Sequence, residues 1–386
     1  MRIAQEFHKA FGRGATHAAQ APGRVNLIGE HTDYNGGFVF PAAIERRCEI
    51  AAAPASGRAL ALHSANFHER VSVPLDEPLA PQPRHRWANY ILASLAQLQQ
   101  RGHETPPLDL LVWGNVPLGG GLSSSAAIEV CTITLLQAII GTSYTRPEVA
   151  LMAQAAEHSP FVGVQCGIMD QFISANAEPG HALMLDCHDL SFELAPLDAS
   201  QATIVIINSM KKRGLVDSEY NKRRSECEEG LSEIRRLSGK RFETIRHIPM
   251  DVFEELAPRL AEGPRKRLRH NLTEKARVHA FRDALTRGDL PHAGFLLYES
   301  HQSLARDYEV SCSELDTIVD IASRVDGVLG CRMTGAGFGG CAVALVRPPA
   351  VEEFQTIMEC EYNDATGKHP EFVVTAPAAG ASALSV

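Results

Sequence analysis

Residues 108–141 set three unlike segments in direct succession: an apolar run at 108–112, the stretch Pro117-Leu-Gly-Gly-Gly-Leu-Ser-Ser-Ser-Ala-Ala127, and a run at 130–140 that is apolar nearly all round and stops at Gly141. A helix without a polar face has to be covered on every side. The third segment therefore belongs inside a layered domain, fed by a buried strand and a tight loop. A chain of 386 residues is long enough for two such domains.

The loop itself reads as a phosphate cradle. Gly119, Gly120 and Gly121 let backbone approach a ligand closely, and Leu122, Ser123, Ser124 and Ser125 lead into a helix start with unpaired N–H groups and the positive end of its dipole. No Gly-Lys-Ser/Thr follows, and the His-Arg-Asp and Asp-Phe-Gly signatures of protein kinases are absent, so the cradle would work with amides and hydroxyls. A glycine turn capped by serine is the competing reading.

Two further clusters carry polar chemistry. Met333-Thr-Gly-Ala-Gly-Phe-Gly-Gly340 contains GxGxxG, but a strand-like run, 341–346, follows it where a dinucleotide site needs a helix. A glycine-rich hairpin fits, either alone or packed against the first loop to close the phosphate site. In Ala21-Pro-Gly-Arg-Val-Asn-Leu-Ile-Gly-Glu-His-Thr-Asp-Tyr-Asn-Gly-Gly37 a strand enters a turn that gathers Glu30, His31, Thr32 and Asp33. Carboxylates that accept two hydrogen bonds suit vicinal hydroxyls, so the turn reads as a polyol clamp or, failing that, a solvated Asn-Gly hairpin.

Composition narrows the partners. A net charge of -9 provides no positive field for nucleic acid or an anionic membrane, and no apolar run is long enough to span a bilayer. Nine cysteines without a CxxC pair point to reduced thiols, hence a cytoplasmic protein. The basic clusters Lys211-Lys-Arg213, Arg223-Arg224 and Arg265-Lys-Arg267 interleave with glutamates and read as solvated helix faces. Strand-like stretches at 25–28, 38–40 and 203–207 alternate with helical ones at 218–237 and through 252–325, which gives α+β. The small-residue end, 376–386, reads as a frayed tail.

Taken together, the three clusters resemble the signatures of the GHMP small-molecule kinases. Gly23-Arg-Val-Asn-Leu-Ile-Gly-Glu-His-Thr-Asp-Tyr-Asn35 is most similar to the galactokinase signature, and Cys166-Gly-Ile-Met-Asp-Gln171 and Ser218-Glu-Tyr220 resemble two more stretches of that family. The resemblance implies a two-domain architecture with the active site between an N-terminal ribosomal-protein-S5-like domain, 1–198, and a C-terminal ferredoxin-like domain, 199–386. It implies transfer of the ATP γ-phosphate to the anomeric hydroxyl of α-D-galactose, with Mg²⁺. Galactose and ATP are then the partners, with no nucleic acid and no membrane, and a monomer is compatible with that reading. A kinase for a related sugar such as N-acetylgalactosamine, and a non-catalytic galactose sensor, are the alternatives.

By the same resemblance Asp170 would take the sugar proton and Arg24 would orient it. Glu30, His31, Thr32, Asp33, Gly167, Asp170 and Tyr220 would line the sugar site. Gly119 through Ser125 would wrap the phosphates, with Ser125 and Glu157 as Mg²⁺ ligands. Ser64 and Trp87 match positions near the nucleotide, although Trp87 suits a core anchor equally well. One departure stands out: Glu157-His-Ser-Pro-Phe161 has a residue more than the family's Glu-x-x-Phe, and Pro160 favours a break after Glu157.

Overall fold

The computed structural model describes residues 2–117, 120–211 and 216–386, with backbone alone for 216–218. Gly119, Lys212 and Arg213 therefore lie outside the described residues, as does the Ser218 side chain.

The strands are β1 (His17–Ile28), β2 (Phe38–Pro54), β3 (Ala59–Ser64), β4 (Glu69–Pro74), β5 (Leu108–Gly114), β6 (His181–Asp186), β7 (Phe192–Pro196), β8 (Thr203–Asn208), β9 (Val328–Thr334), β10 (Cys341–Val346), β11 (Glu371–Thr375) and β12 (Ser382–Leu384). The helices are α1 (Arg2–Phe11), α2 (Arg86–Gln99), α3 (Ser124–Ile140), α4 (Arg146–His158), α5 (Met169–Asn176), α6 (Val216–Ser238), α7 (Met250–Leu256), α8 (Glu262–Arg287), α9 (Leu290–Ser303), α10 (Ser313–Ser323) and α11 (Val351–Thr366). The class is α+β.

The apolar run becomes α3, which ends at Gly141 with φ 68°, the left-handed cap that glycine adopts without a Cβ penalty. Val130, Cys131 and Leu135 of α3 join Ile91 and Leu95 of α2, Met152 of α4 and Phe172 of α5 in one core against the first sheet. That sheet runs β12-β1-β2-β5-β3-β4, with β6 on β2 and β7 on β6. Only β3 and β5 pair in parallel among its described ladders. The second sheet, β11-β8-β10-β9, is antiparallel throughout and carries its own core with α6, α10 and α11.

A third cluster joins the two sheets. Val25, Leu27 and Phe40 meet Ile204, Ile206, Val343 and Leu345, with Val278 and Phe281 of α8 and Leu297 of α9 closing it. Burial of this apolar surface, at about 25 cal/mol per Å², fixes the sheets against each other and so fixes the cleft between them.

Two sequence expectations change. The C-terminal end is no frayed tail: Ala383 of β12 pairs with Ala19 of β1, and the N–H groups of Gly380 and Ala381 donate to Ala177 and Ser174 at the end of α5. The basic clusters are not uniformly solvated either. Arg224 and Lys266 form ion pairs near the surface, but Arg267 is 2% exposed and binds Glu226 and Glu309, and Arg223 donates to the Tyr308 and Glu309 carbonyls. These arginines bind α6 to α8 and to the segment after α9. Among the described residues no helix is long and apolar enough to cross a membrane.

Candidate active site

Asp170 occupies the first turn of α5, and Arg24 projects from β1. The two meet fork to fork: Arg24 Nε donates to Asp170 Oδ1 at 2.8 Å and Nη2 to Oδ2 at 2.7 Å. The remaining guanidinium nitrogen donates to the Gly121 carbonyl, and Ser123 Oγ donates to Asp170 Oδ2. Bidentate geometry fixes the carboxylate plane as well as its position. Ser123 has φ 62° and spends its hydroxyl on Asp170, so it does not cap α3. The first amides of α3 have no intrahelical acceptor and remain available to an anion.

Carbonyls of the glycine loop are tied back into the protein. The Leu122 carbonyl accepts from Arg24 N at 3.1 Å, and the Gly120 carbonyl accepts from Cys341 Sγ at 3.0 Å. The β9–β10 hairpin thus packs on the first loop, as one reading of its glycines expected, while its Gly335 and Ala336 line a cavity beside Asp170. The Leu122 side chain is in the core between the sheets, so Leu122 contributes only its backbone.

On one side of Asp170 lies a cavity of about 130 Å³ that brings together Arg24, Glu30, His31, Asp33, Gly167, Asp170 and Tyr220. Tyr34, Cys166 and Met169, with Gly335 and Ala336, complete it. Burial, reinforced by the Asp170 charge, raises the Asp33 carboxyl to about 7. Burial lowers His31 to about 3, so its imidazole is neutral, and it shares a 2.8 Å hydrogen bond with Tyr34. Tyr220 is pushed far up by burial and by Asp33 and Asp170, which leaves its hydroxyl a donor.

Thr32 does not line this cavity. Its hydroxyl donates to the Gly29 and Phe38 carbonyls at 2.9 and 2.7 Å, so it shapes the turn instead. Glu30 faces the cavity with one oxygen committed: Oε2 accepts from Arg332 Nη2 at 2.8 Å, from Gly335 N at 2.9 Å and from Thr334 Oγ1 at 3.3 Å. Arg332 is fully buried in β9, and nothing in the sequence marked it.

A second, more apolar cavity of about 260 Å³ is lined by Ser64, Trp87, Ser124 and Ser125 together with Asn66, Phe67, Tyr90 and Ile128. Trp87 Nε1 donates to Glu69 at 2.7 Å, while Ser64 Oγ accepts from Phe67 N at 3.3 Å and so shapes the β3–β4 turn. Phe67, which sequence reasoning missed, lines this cavity and is 48% exposed.

The Glu157 carboxylate accepts from Gln171 Nε2 and Cys166 Sγ, and the nearby Ser125 hydroxyl opposes the upward push that burial gives its carboxyl. Helix α4 continues through Glu157 to His158, so the break comes after Glu157. Hydroxyl and carboxylate are hard oxygen donors, and two of them suit Mg²⁺, which keeps its other positions for phosphate and water.

Family models match three stretches: the galactokinase galactose-binding signature at 5–54, the GHMP kinases N terminal domain at 89–178 and the GHMP kinases C terminal at 281–364. Among solved structures, galactokinase of Lactococcus lactis complexed with galactose is 35% identical, with 99% of this chain and 98% of that one covered and a TM-score of 0.92. The chain belongs to the galactokinase family. Mevalonate kinase of Methanococcus jannaschii (18% identity, 95% and 100% covered, TM-score 0.70) and phosphomevalonate kinase of Streptococcus pneumoniae (15%, 92% and 99%, TM-score 0.62) share its fold. Membership in the galactokinase family makes this a sugar kinase with ATP as co-substrate.

Proposed function

We propose that the chain transfers the γ-phosphate of ATP to the anomeric 1-hydroxyl of α-D-galactose, releasing α-D-galactose 1-phosphate and ADP. The observation that carries this reading is the position of Asp170. Its carboxylate, held by Arg24 and Ser123 of the glycine loop, lines the cavity that Glu30, His31, Asp33 and Tyr220 share.

Asp170 takes the proton of the 1-hydroxyl as that oxygen attacks the γ-phosphorus. Arg24 keeps the carboxylate aimed and puts a positive charge beside the transferring group. Glu30, His31, Asp33, Gly167 and Tyr220 form the sugar subsite. Gly119, Gly120, Gly121, Ser123, Ser124 and Ser125 hold the phosphates with amides and hydroxyls, and Ser64 and Trp87 border the base. Ser125 and Glu157 would hold Mg²⁺, which offsets the negative charge of the phosphate oxygens.

We read the chain as two domains, 1–198 and 199–386, with β12 returning to the first sheet. Nine cysteines without a disulfide among the described residues suit a cytoplasmic enzyme. Asp170→Asn tests the assignment, because the amide keeps the shape and cannot take the proton. Turnover is expected to fall by at least about a hundredfold while galactose still binds. Near-normal turnover would overturn it.

A further inference from the structure

The turn that supplies Glu30, His31 and Asp33 is gripped from outside the cavity. Gly29 opens it with φ +86°, and a Cβ there would lie 2.4 Å from the Phe38 carbonyl oxygen and 3.1 Å from Cγ2 of Val278. Its N–H is directed at α8, where Glu274 Oε1 accepts it at 2.9 Å. Glu274 is 0% exposed, and its other contacts are Ser300 Oγ, donating to Oε1 at 2.6 Å, and Arg277 Nε, donating to Oε2 at 2.6 Å.

Two neighbours on the same helix face grip the same turn. His270 Nε2 lies 3.0 Å from the Glu30 carbonyl oxygen, and Asn271 Oδ1 accepts from Asn35 Nδ2 at 3.2 Å. His270, Asn271, Glu274 and Val278 sit at the spacing that brings residues of successive helical turns to one face. None of them lines the cavity. All four also fall outside the three stretches matched by the family models.

We propose that Glu274 is a positioning residue for the sugar site, setting with His270 and Asn271 the orientation of the turn and hence the affinity for galactose. The inference rests on the galactose reading above and deepens it. The Gly29 N–H is a buried backbone donor, and such a group left without an acceptor drives local rearrangement. Rearrangement at Gly29 moves Glu30 and His31, the next two residues, whose side chains face the sugar cavity. Burial alone would raise the Glu274 carboxyl, but Arg277, with His270 and Arg332, outweighs it and brings the group down to about 2, so a full charge sits beneath the turn.

The test is Glu274→Gln, compared with the parent for galactose affinity by calorimetry, for the KM of each substrate and for Tm. The amide keeps the volume, but its NH2 cannot accept: with the oxygen on Gly29 and Ser300 it sets a donor against Arg277 Nε, and turned the other way it sets one against the Gly29 N–H. Galactose Kd and KM are expected to rise about tenfold, with ATP KM within about twofold. Asn271→Ala, which removes a single acceptor from the turn, is expected to raise galactose KM about threefold and decides the matter if Glu274→Gln does not fold. A lowered Tm with galactose Kd and KM unchanged in the folded variant would reduce Glu274 to a structural group and overturn the inference. A parent that binds galactose without phosphorylating it would refute the proposed activity, while the calorimetric comparison would still decide the role of Glu274.

Discussion

Replacing Gly167 by Ala places a methyl carbon 1.9 Å from Asp33 Oδ2, 2.7 Å from its Cγ and 3.1 Å from its Cβ. The Gly167 backbone is not in the left-handed region, so the chain itself accepts alanine. The three nearest atoms all belong to the Asp33 side chain, which has to swing away. Turning it some 30° off its rotamer costs about 0.5–1.5 kcal/mol, little enough for the fold to survive. The functional loss is larger: a hydrogen bond that a sugar hydroxyl donates to a carboxylate is worth about 1.5–3 kcal/mol, or about 10- to 150-fold in kcat/KM. Coupled measurement of ADP release with galactose varied should show that fall, with ATP KM unchanged and Tm lowered by no more than about 2–4 °C. A galactose kcat/KM within twofold of the parent would refute the placement of Asp33 in the sugar subsite.

The remaining predictions concern the nucleotide side. A Cβ at Gly120 meets nothing nearer than 3.7 Å, so Gly120→Ala should leave Tm unchanged yet weaken ATP binding about tenfold by calorimetry, as the proposed phosphate cradle requires. Gly121, with φ +76°, is a poorer site for this test, since any side chain there also strains the backbone. Glu157→Gln removes half of the hard oxygen pair, and the Mg²⁺ concentration for half-maximal rate should rise severalfold; an unchanged Mg²⁺ curve removes Glu157 from the site.

Local chemistry was legible in the sequence wherever a residue acts close to its own motif. The strand at 108–112 and the buried helix at 130–140 fold as their patterns indicate, and Asp170, Arg24 and Ser123 converge. Long-range partners were not legible. Glu30 reads as a sugar ligand, yet one of its oxygens is committed to Arg332, 302 residues away in a strand whose other side chains are mostly apolar. Thr32 reads as part of the clamp because its hydroxyl is polar, while its two backbone acceptors depend on the closed turn.

The C-terminal end misleads for a packing reason. Its small residues look like low complexity, but a Cβ at Gly380 would lie 2.7 Å from the Ala175 carbonyl oxygen, so smallness there reflects close approach to α5. The β3 strand went unread because its alternation sets alanine against leucine, a weak contrast between faces. Arg267 looked like part of a solvated cluster, since the glutamates that bury it lie on α6 and beyond α9.

The central claim is a phosphoryl transfer to one hydroxyl of one sugar, and the most direct measurement is ADP release over a panel of sugars with the product examined by ³¹P NMR. Glucose differs from galactose only at the 4-hydroxyl, and a site built to hydrogen-bond a hydroxyl can reject such an analogue by about 10⁴. Galactose should be turned over to its 1-phosphate and 2-deoxygalactose more slowly, with near silence from glucose and N-acetylgalactosamine. Preferred turnover of N-acetylgalactosamine, or galactose binding with no ADP released, would contradict the claim.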